Sequence, residues 1–282
     1  YTCSTFLFIE LLFGYFYFQK SWEKGSSIKW LASRLNEKYI QKELISPEVP
    51  NIFNYAYHLK TLIEEVKGEK INIIMLYIPM VNTSDEALIS KRDFFKEQAR
   101  INNISFVDTT KMLRSYPEKW IYNQPFDSHL SRFGHIQVSD IILKKIKLVF
   151  DIKKKVIKVN KVNKVINNIT GPHPENVDSV NRYNQLGYRV QTNSQGFRML
   201  YGIQPNKESI IILGDSFTYG TGVNTFESYP NILNRLLKDI NIINAGIPGT
   251  SIIEQSRYFK SIKDKAIINT LILQVLDNDI KS

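Results

Sequence analysis

The stretch Ser209–Gly222, SIIILGDSFTYGTG, decides how the chain folds. Ile210, Ile211, Ile212 and Leu213 form a continuous apolar run that Gly214 closes. Such a run is expected of a strand buried on both faces, as in a parallel sheet. Gly214, Asp215 and Ser216 then stand at the strand's carboxyl end, ahead of a Thr/Gly-rich turn. In open α/β sheets, ligands bind outside the carboxyl ends of the strands. A serine held there aims its hydroxyl into the site and leaves its backbone N–H for an anion. Taken alone, the stretch is equally compatible with Ser216 as a helix cap.

Working outward, the chain alternates helical and strand patterns, the rhythm of a parallel sheet. Residues 26–44 and 50–66 carry apolar side chains at helical spacing, with Gly68 placed to end the second helix. His58 falls within that helix and reads as structural. A buried strand is expected over Ile71–Ile78, then a helix over Asp85–Ile101 capped by Ser84, then a short strand over Ile104–Val107. A helix from about Gly134 to Phe150 follows an aromatic loop. Beyond the Ser216 turn, a helix is expected over Tyr229–Leu237 with Pro230 in its first turn, then a strand over Ile240–Ala245. A helix over Glu254–Ile262 and a strand over Ile267–Leu276 complete the series.

Gly214-Asp215-Ser216-Phe217, with Tyr219 and Gly220 behind it, resembles the first block of the SGNH hydrolases, also called GDSL esterases and lipases. The G-x-S-x-G elbow of the α/β-hydrolases is absent from that family and from this chain. Three further stretches resemble the family's other blocks. Asn244-Ala245-Gly246 follows a strand, as the Gly block does. Asp277-Asn278-Asp279 follows the last strand and resembles Gly-x-Asn-Asp, with Leu276 in place of the Gly. Asp127-Ser128-His129-Leu130-Ser131, ahead of Gly134-His135, resembles the Asp/His block. The usual family spacing is Asp-x-x-His. The shorter Asp-x-His found here also occurs, including among alginate O-acetyltransferase relatives. Arg182–Leu200, with Leu186-Gly187-Tyr188-Arg189 and Asn193-Ser194-Gln195-Gly196-Phe197-Arg198, resembles the family's lead-in to the Ser strand. It also reads as ordinary turn chemistry.

The resemblance implies a three-layer α/β/α, flavodoxin-like parallel sheet of about five strands. It implies a catalytic triad of Ser216 as nucleophile, His129 as general base and Asp127 as its orienting partner. The oxyanion donors would be the backbone N–H groups of Ser216 and Gly246 and the Asn278 amide. His135 is expected to pack or cap at the start of its helix, and Asp215 to be structural. The activity implied is hydrolysis of a small acyl ester, such as O-acetyl on a carbohydrate, through an acyl-serine intermediate. A carbohydrate O-acyltransferase with the same triad is the alternative. A non-catalytic fragment that binds an anionic polymer is a third reading. No cofactor is implied.

The blocks stand in an unusual order, with Asp/His first. Residues 1–150 resemble the C-terminal half of an SGNH domain and residues 181–282 the N-terminal half. Residues 151–180, rich in Lys and Asn, read as a linker. Either a circular permutation or a window on two tandem domains accounts for this order, and the start at Tyr1 rather than Met favours the window.

The chain has 282 residues, one cysteine and four histidines. One cysteine excludes an intramolecular disulfide framework and a Cys-based zinc site. The histidines show no metal-ligand spacing, so no metal is expected. The net charge is +10, much of it between Lys153 and Lys164. No aromatic residue interleaves with these lysines, so a solvated linker is expected rather than a nucleic-acid platform. The apolar stretch Thr5–Phe18 is shorter than a membrane span and contains Glu10. It lacks a basic leading segment, so it reads as a buried element and no signal peptide is visible.

Overall fold

A computed structural model describes residues 52–81, 84–154, 169–205 and 207–279. The readings on the apolar stretch 5–18, the helix 26–44 and the lysines between 155 and 168 lie outside the described residues.

The described chain begins with α1 (Ile52–Gly68), β1 (Asn72–Ile78), α2 (Asp85–Ile101) and β2 (Ser105–Asp108). Two single-turn helices, α3 (Thr110–Leu113) and α4 (Glu118–Ile121), lead to the long α5 (Arg132–Lys154). A hairpin of β3 (Asp178–Tyr183) and β4 (Leu186–Gln191) precedes β5 (Ser209–Gly214). After β5 come α6 (Ser216–Tyr219), α7 (Tyr229–Leu236), β6 (Asn241–Gly246), α8 (Ile252–Ile262) and β7 (Ile268–Leu276).

Five strands form one parallel sheet in the order β2-β1-β7-β5-β6. Counted from β5 onward and continued from β7 to β1, this is the 2-1-3-4-5 order of flavodoxin-like sheets, whose switch point lies between the first and third strands. Here those are β5 and β7. The halves before and after the Lys-rich stretch therefore share one sheet: β1 pairs β7 in register from Asn72↔Thr270 to Ile78↔Leu276. Left apart, each half would leave an apolar strand edge unpaired.

Strand alternation divides the core into two layers. Met75, Tyr77, Ile211, Leu213, Ile243 and Leu273 pack with α1, α2 and α8 on one face. Ile74, Leu76, Ile210, Ile212, Ile242 and Ile272 pack with α5 and α7 on the other.

Local chemistry sets the helix starts. Ser84 Oγ accepts the Ala87 N–H, as expected, and Asp85 and Glu86 complement the dipole of the first turn of α2. Ser251 and Glu254 form a capping box that starts α8 at Ile252, earlier than the apolar pattern suggests. Ser131 Oγ accepts the Gly134 N–H at 3.1 Å, which starts α5 at Arg132 rather than Gly134.

The expected linker over 151–180 is shorter than its composition indicates. α5 runs on to Lys154, and from Ile169 the chain packs against the domain. The Gly171 N–H donates to Gln195 O, and the His173 N–H to Gly196 O at 3.0 Å. The hairpin β3–β4 replaces what composition reads as linker end and surface turn.

Candidate active site

The site starts from a geometric requirement at the end of β5. A Cβ on Gly214 would overlap Thr218 Oγ1 and Gln274 Oε1, so the turn closes only with glycine there. Gln274, from β7, organises this turn: its Oε1 accepts the Asp215 N–H at 3.2 Å and the Thr218 hydroxyl at 2.9 Å. Asp215 Oδ1 accepts the Phe217 N–H at 2.9 Å and so caps α6, the structural role expected of it. Ser216 occupies the first position of α6, partly exposed. Its backbone N–H has no acceptor among the described residues, as a first-turn donor need not.

Asp127 and His129 come from the loop between α4 and α5. The loop folds on itself through Asp127 N–H to Asn123 O (3.0 Å) and Asn123 N–H to His129 O (2.9 Å). His129 Nδ1 lies 2.8 Å from both Asp127 carboxylate oxygens, and its Nε2 lies 2.8 Å from Ser216 Oγ. A carboxylate accepts only, so the ring proton sits on Nδ1 and Nε2 is left to accept the Ser216 hydroxyl. Asp127 and His129 are buried. Phe217 packs on the imidazole at 5.2 Å between ring centroids, and Tyr183 at the end of β3 meets it edge-on at 5.3 Å. Side chains from the two halves of the chain thus meet at the carboxyl end of β5.

The expected oxyanion donors fare differently. The Gly246 N–H donates to Asn244 Oδ1 at 3.1 Å, within its own strand end. Gly246 also serves a spatial need. A Cβ there would overlap the Tyr219 backbone N–H and lie 2.8 Å from Thr218 C, so glycine lets β6 approach α6. Asn278 lies in the 3₁₀ turn Asp277–Asp279 directly after β7, beside the switch point; its side chain lies outside the described residues. That turn is pinned to β1. The Tyr77 hydroxyl donates to Asp277, and the Met80 N–H donates to Asp277 Oδ2 at 3.1 Å.

Burial pushes the Asp215 carboxyl up to about 6. Burial, then the charge of Asp215, holds Asp279 well above the usual carboxylate range. Two further histidines, His135 and His173, are buried, which disfavours their charged forms. His135 stacks on Tyr229 and accepts the Tyr229 N–H at Nδ1 (3.2 Å), in line with a packing role, and burial lowers it to about 3. His173 Nε2 donates to Gly246 O at 2.9 Å, and burial lowers it to about 4. Between about pH 4 and 6.5 the unfolded chain binds protons at these positions and the folded chain does not. Stability contributed by each is present above its unfolded value of 6.5 and is lost as pH falls towards the folded value, by about 1.4 kcal/mol per pH unit. Asp215 and Asp279, with raised values, act in the opposite sense. The effect is therefore read by difference. In His173→Gln, whose amide can keep the donor to Gly246 O, the pH dependence of unfolding free energy between pH 6.5 and 4 should change by about 1.4 kcal/mol per pH unit relative to the parent. Urea unfolding at several pH values measures it, and parallel curves would show that His173 does not titrate on unfolding.

No protein-family model matches the sequence, and no curated protein does. Solved structures do match in three dimensions. The O-acetyltransferase domain of Pseudomonas putida AlgJ superposes with a TM-score of 0.50 at 9% identity, over 80% of this chain and 83% of that one. The fold is SGNH-like. Bacillus cereus PatB1 also matches, with a TM-score of 0.44 at 12% identity over 83% of this chain and 92% of that one. The SGNH-like sheet places β5 and β7 at its switch point, with Ser216 after one and the Asp277–Asp279 turn after the other.

No group of three or more His, Cys, Asp or Glu side chains is placed to hold a metal among the described residues. Nor is any described helix long and apolar enough to cross a membrane. Sequence reasoning assigned no role to three residues that the structure places around Ser216 and His129: Gln274, Tyr183 and Arg198. Of these, Arg198 alone falls in the motif-like part of the lead-in to β5, Asn193–Arg198.

Proposed function

We propose that the chain is a serine-dependent acyl-transfer enzyme that opens a small acyl ester, O-acetyl on a carbohydrate, through an acyl-Ser216 intermediate. Ser216 Oγ attacks the carbonyl carbon as His129 Nε2 takes its proton. Asp127 holds the Nδ1 proton in place and stabilises the imidazolium that forms. The Ser216 N–H and the Asn278 amide receive the charge that develops on the carbonyl oxygen. Collapse of the tetrahedral intermediate releases the alcohol, which takes the proton back from His129. In the second half-reaction the acceptor oxygen attacks the acyl carbon as His129 takes its proton, and His129 returns that proton to Ser216 Oγ as the ester bond to it breaks. Water as acceptor makes the enzyme an esterase; a carbohydrate hydroxyl makes it an O-acetyltransferase. The similar AlgJ domain is an O-acetyltransferase, which supports keeping the second reading.

The observation that carries this reading is the unbroken chain from Ser216 Oγ through His129 to Asp127, each link 2.8 Å. A fluorophosphonate probe should label the protein at Ser216, and Ser216→Ala should abolish labelling. Labelling that survives the substitution undiminished would exclude Ser216 as nucleophile. With an acetyl ester as donor, free acetate against acetyl transferred to an added oligosaccharide separates the two acceptors.

A further inference from the structure

Arg198 is fully buried in the segment between β4 and β5, yet no carboxylate bonds it among the described residues. Burying a guanidinium is costly unless its donors are matched. Here backbone carbonyls do the matching. Nη1 donates to Tyr219 O at 2.5 Å and Gly220 O at 2.6 Å, and Nη2 donates to Val223 O at 2.6 Å. Nε donates to Thr225 Oγ1 at 3.3 Å. The Tyr219 ring stacks on the guanidinium, 4.3 Å from ring centroid to Cζ. The residue's own backbone is fixed as well, since Asn231 Nδ2 in α7 donates to Arg198 O at 2.9 Å.

The carbonyls it gathers belong to the end of α6 and the loop that follows. α6 is one turn long, begins with Ser216 and ends at Gly220, whose φ is +91°. Gly222, in the same loop, has φ +84°. Its missing Cβ would lie 3.4 Å from Asp127 Oδ2 and 2.6 Å from Asn123 Nδ2. The loop is therefore held between the guanidinium on one side and Asp127 with its supporting Asn123 on the other. A one-turn helix has little rigidity of its own, because so short a helix is only marginally stable without packing. The planar fork of arginine suits several fixed carbonyls at once; a lysine ammonium does not.

We propose that Arg198 is a positioning residue for acyl transfer: by binding the carbonyls of Tyr219, Gly220 and Val223 it sets α6, and with it Ser216, in register with Asp127 and His129. The proposal rests on Ser216 being the nucleophile. Arg198 touches neither substrate nor the reacting atoms and acts through the loop alone. Small displacements of a nucleophile are expensive in rate: a misplacement of about 1 Å can cost on the order of 10²-fold.

The test is the saturation kinetics of fluorophosphonate labelling in Arg198→Met, Arg198→Lys and Gly222→Ala, each confirmed as folded by near-UV circular dichroism. The limiting labelling rate should fall about tenfold to a hundredfold in Arg198→Met. The probe concentration giving half that rate, and the final fraction labelled, should stay near the parent's. Arg198→Lys should recover only part of the rate. Gly222→Ala pushes the same loop from the Asp127 side and should slow labelling with the fraction labelled preserved. Failure of both Arg198 variants to fold would make the arginine structural and overturn the proposal. A merely structural arginine would lower the fraction labelled and leave the rate of the folded remainder intact. That result, or limiting rates within twofold of the parent, overturns the proposal. Absence of labelling in the unaltered protein would instead overturn the assignment of Ser216, and this inference with it.

Discussion

His129→Ala should lower kcat on a chromogenic acetyl ester by about 10⁴- to 10⁶-fold, with KM little changed. The Ser216 hydroxyl is a poor nucleophile until a base accepts its proton, and His129 Nε2 at 2.8 Å is placed to do so. Without the imidazole, the proton must pass to water in a turn where Phe217 and Tyr183 pack around the vacated position. KM is spared because the base acts on the transition state, not on ground-state binding. His135→Ala is the control. Its Nδ1 is taken by the Tyr229 N–H and its ring is fully buried, so its loss should reduce stability and leave kcat of the folded protein nearly intact. Should His135→Ala prove the more damaging to kcat, the base has been assigned to the wrong histidine.

What the sequence made legible depended on how each residue meets its physical needs. The strands of the main sheet were readable because they are buried on both faces. Ile210–Leu213 and Leu271–Leu276 admit few polar side chains and are stopped by Gly214 and Asp277. Their pairing across the permuted order followed from unpaired apolar edges. The β3–β4 hairpin was not readable. Its strands pair only with each other, and residues such as Asp178, Asn181 and Gly187 carry no strand signature. His173 lies in Gly171-Pro172-His173-Pro174, which reads as loop, yet backbone bonds to Gly196 and a side-chain bond to Gly246 O bury it. Arg198 was hidden for a different reason. Its charge is met by carbonyls of a loop, which every residue possesses, so no partner motif marks it. At Gly246 the sequence carries no sign of a steric need that the structure shows: the close approach of two backbones requires a glycine there, and its N–H donates to Asn244.

Asp127→Asn should lower kcat by about 10⁴-fold while leaving the fold intact. The substitution is nearly isosteric, so the expected loss is one of proton placement. Both Asp127 oxygens lie 2.8 Å from His129 Nδ1. In asparagine one of those positions becomes an NH₂ group, and a donor then faces the N–H on Nδ1. The ring relieves this conflict by moving its proton to Nε2, so that Nδ1 accepts from the amide. Nε2–H then points at Ser216 Oγ, where an acceptor is required, and the hydroxyl proton has no base. Alternatively the amide turns away and the imidazolium formed during the reaction loses its carboxylate. The first route leaves Ser216 within about 3 Å of a histidine that cannot serve it, a hydrogen bond of ordinary length in the wrong direction; the second keeps the direction and loses the stabilisation of the imidazolium. The short Asp-x-His spacing gives this test its force, because residues so close in sequence can touch through local chain geometry alone. Steady-state kinetics on the acetyl ester decide between the two. A fall of less than tenfold in a folded Asp127→Asn protein would make the contact an accident of the loop and leave His129 oriented by its aromatic neighbours.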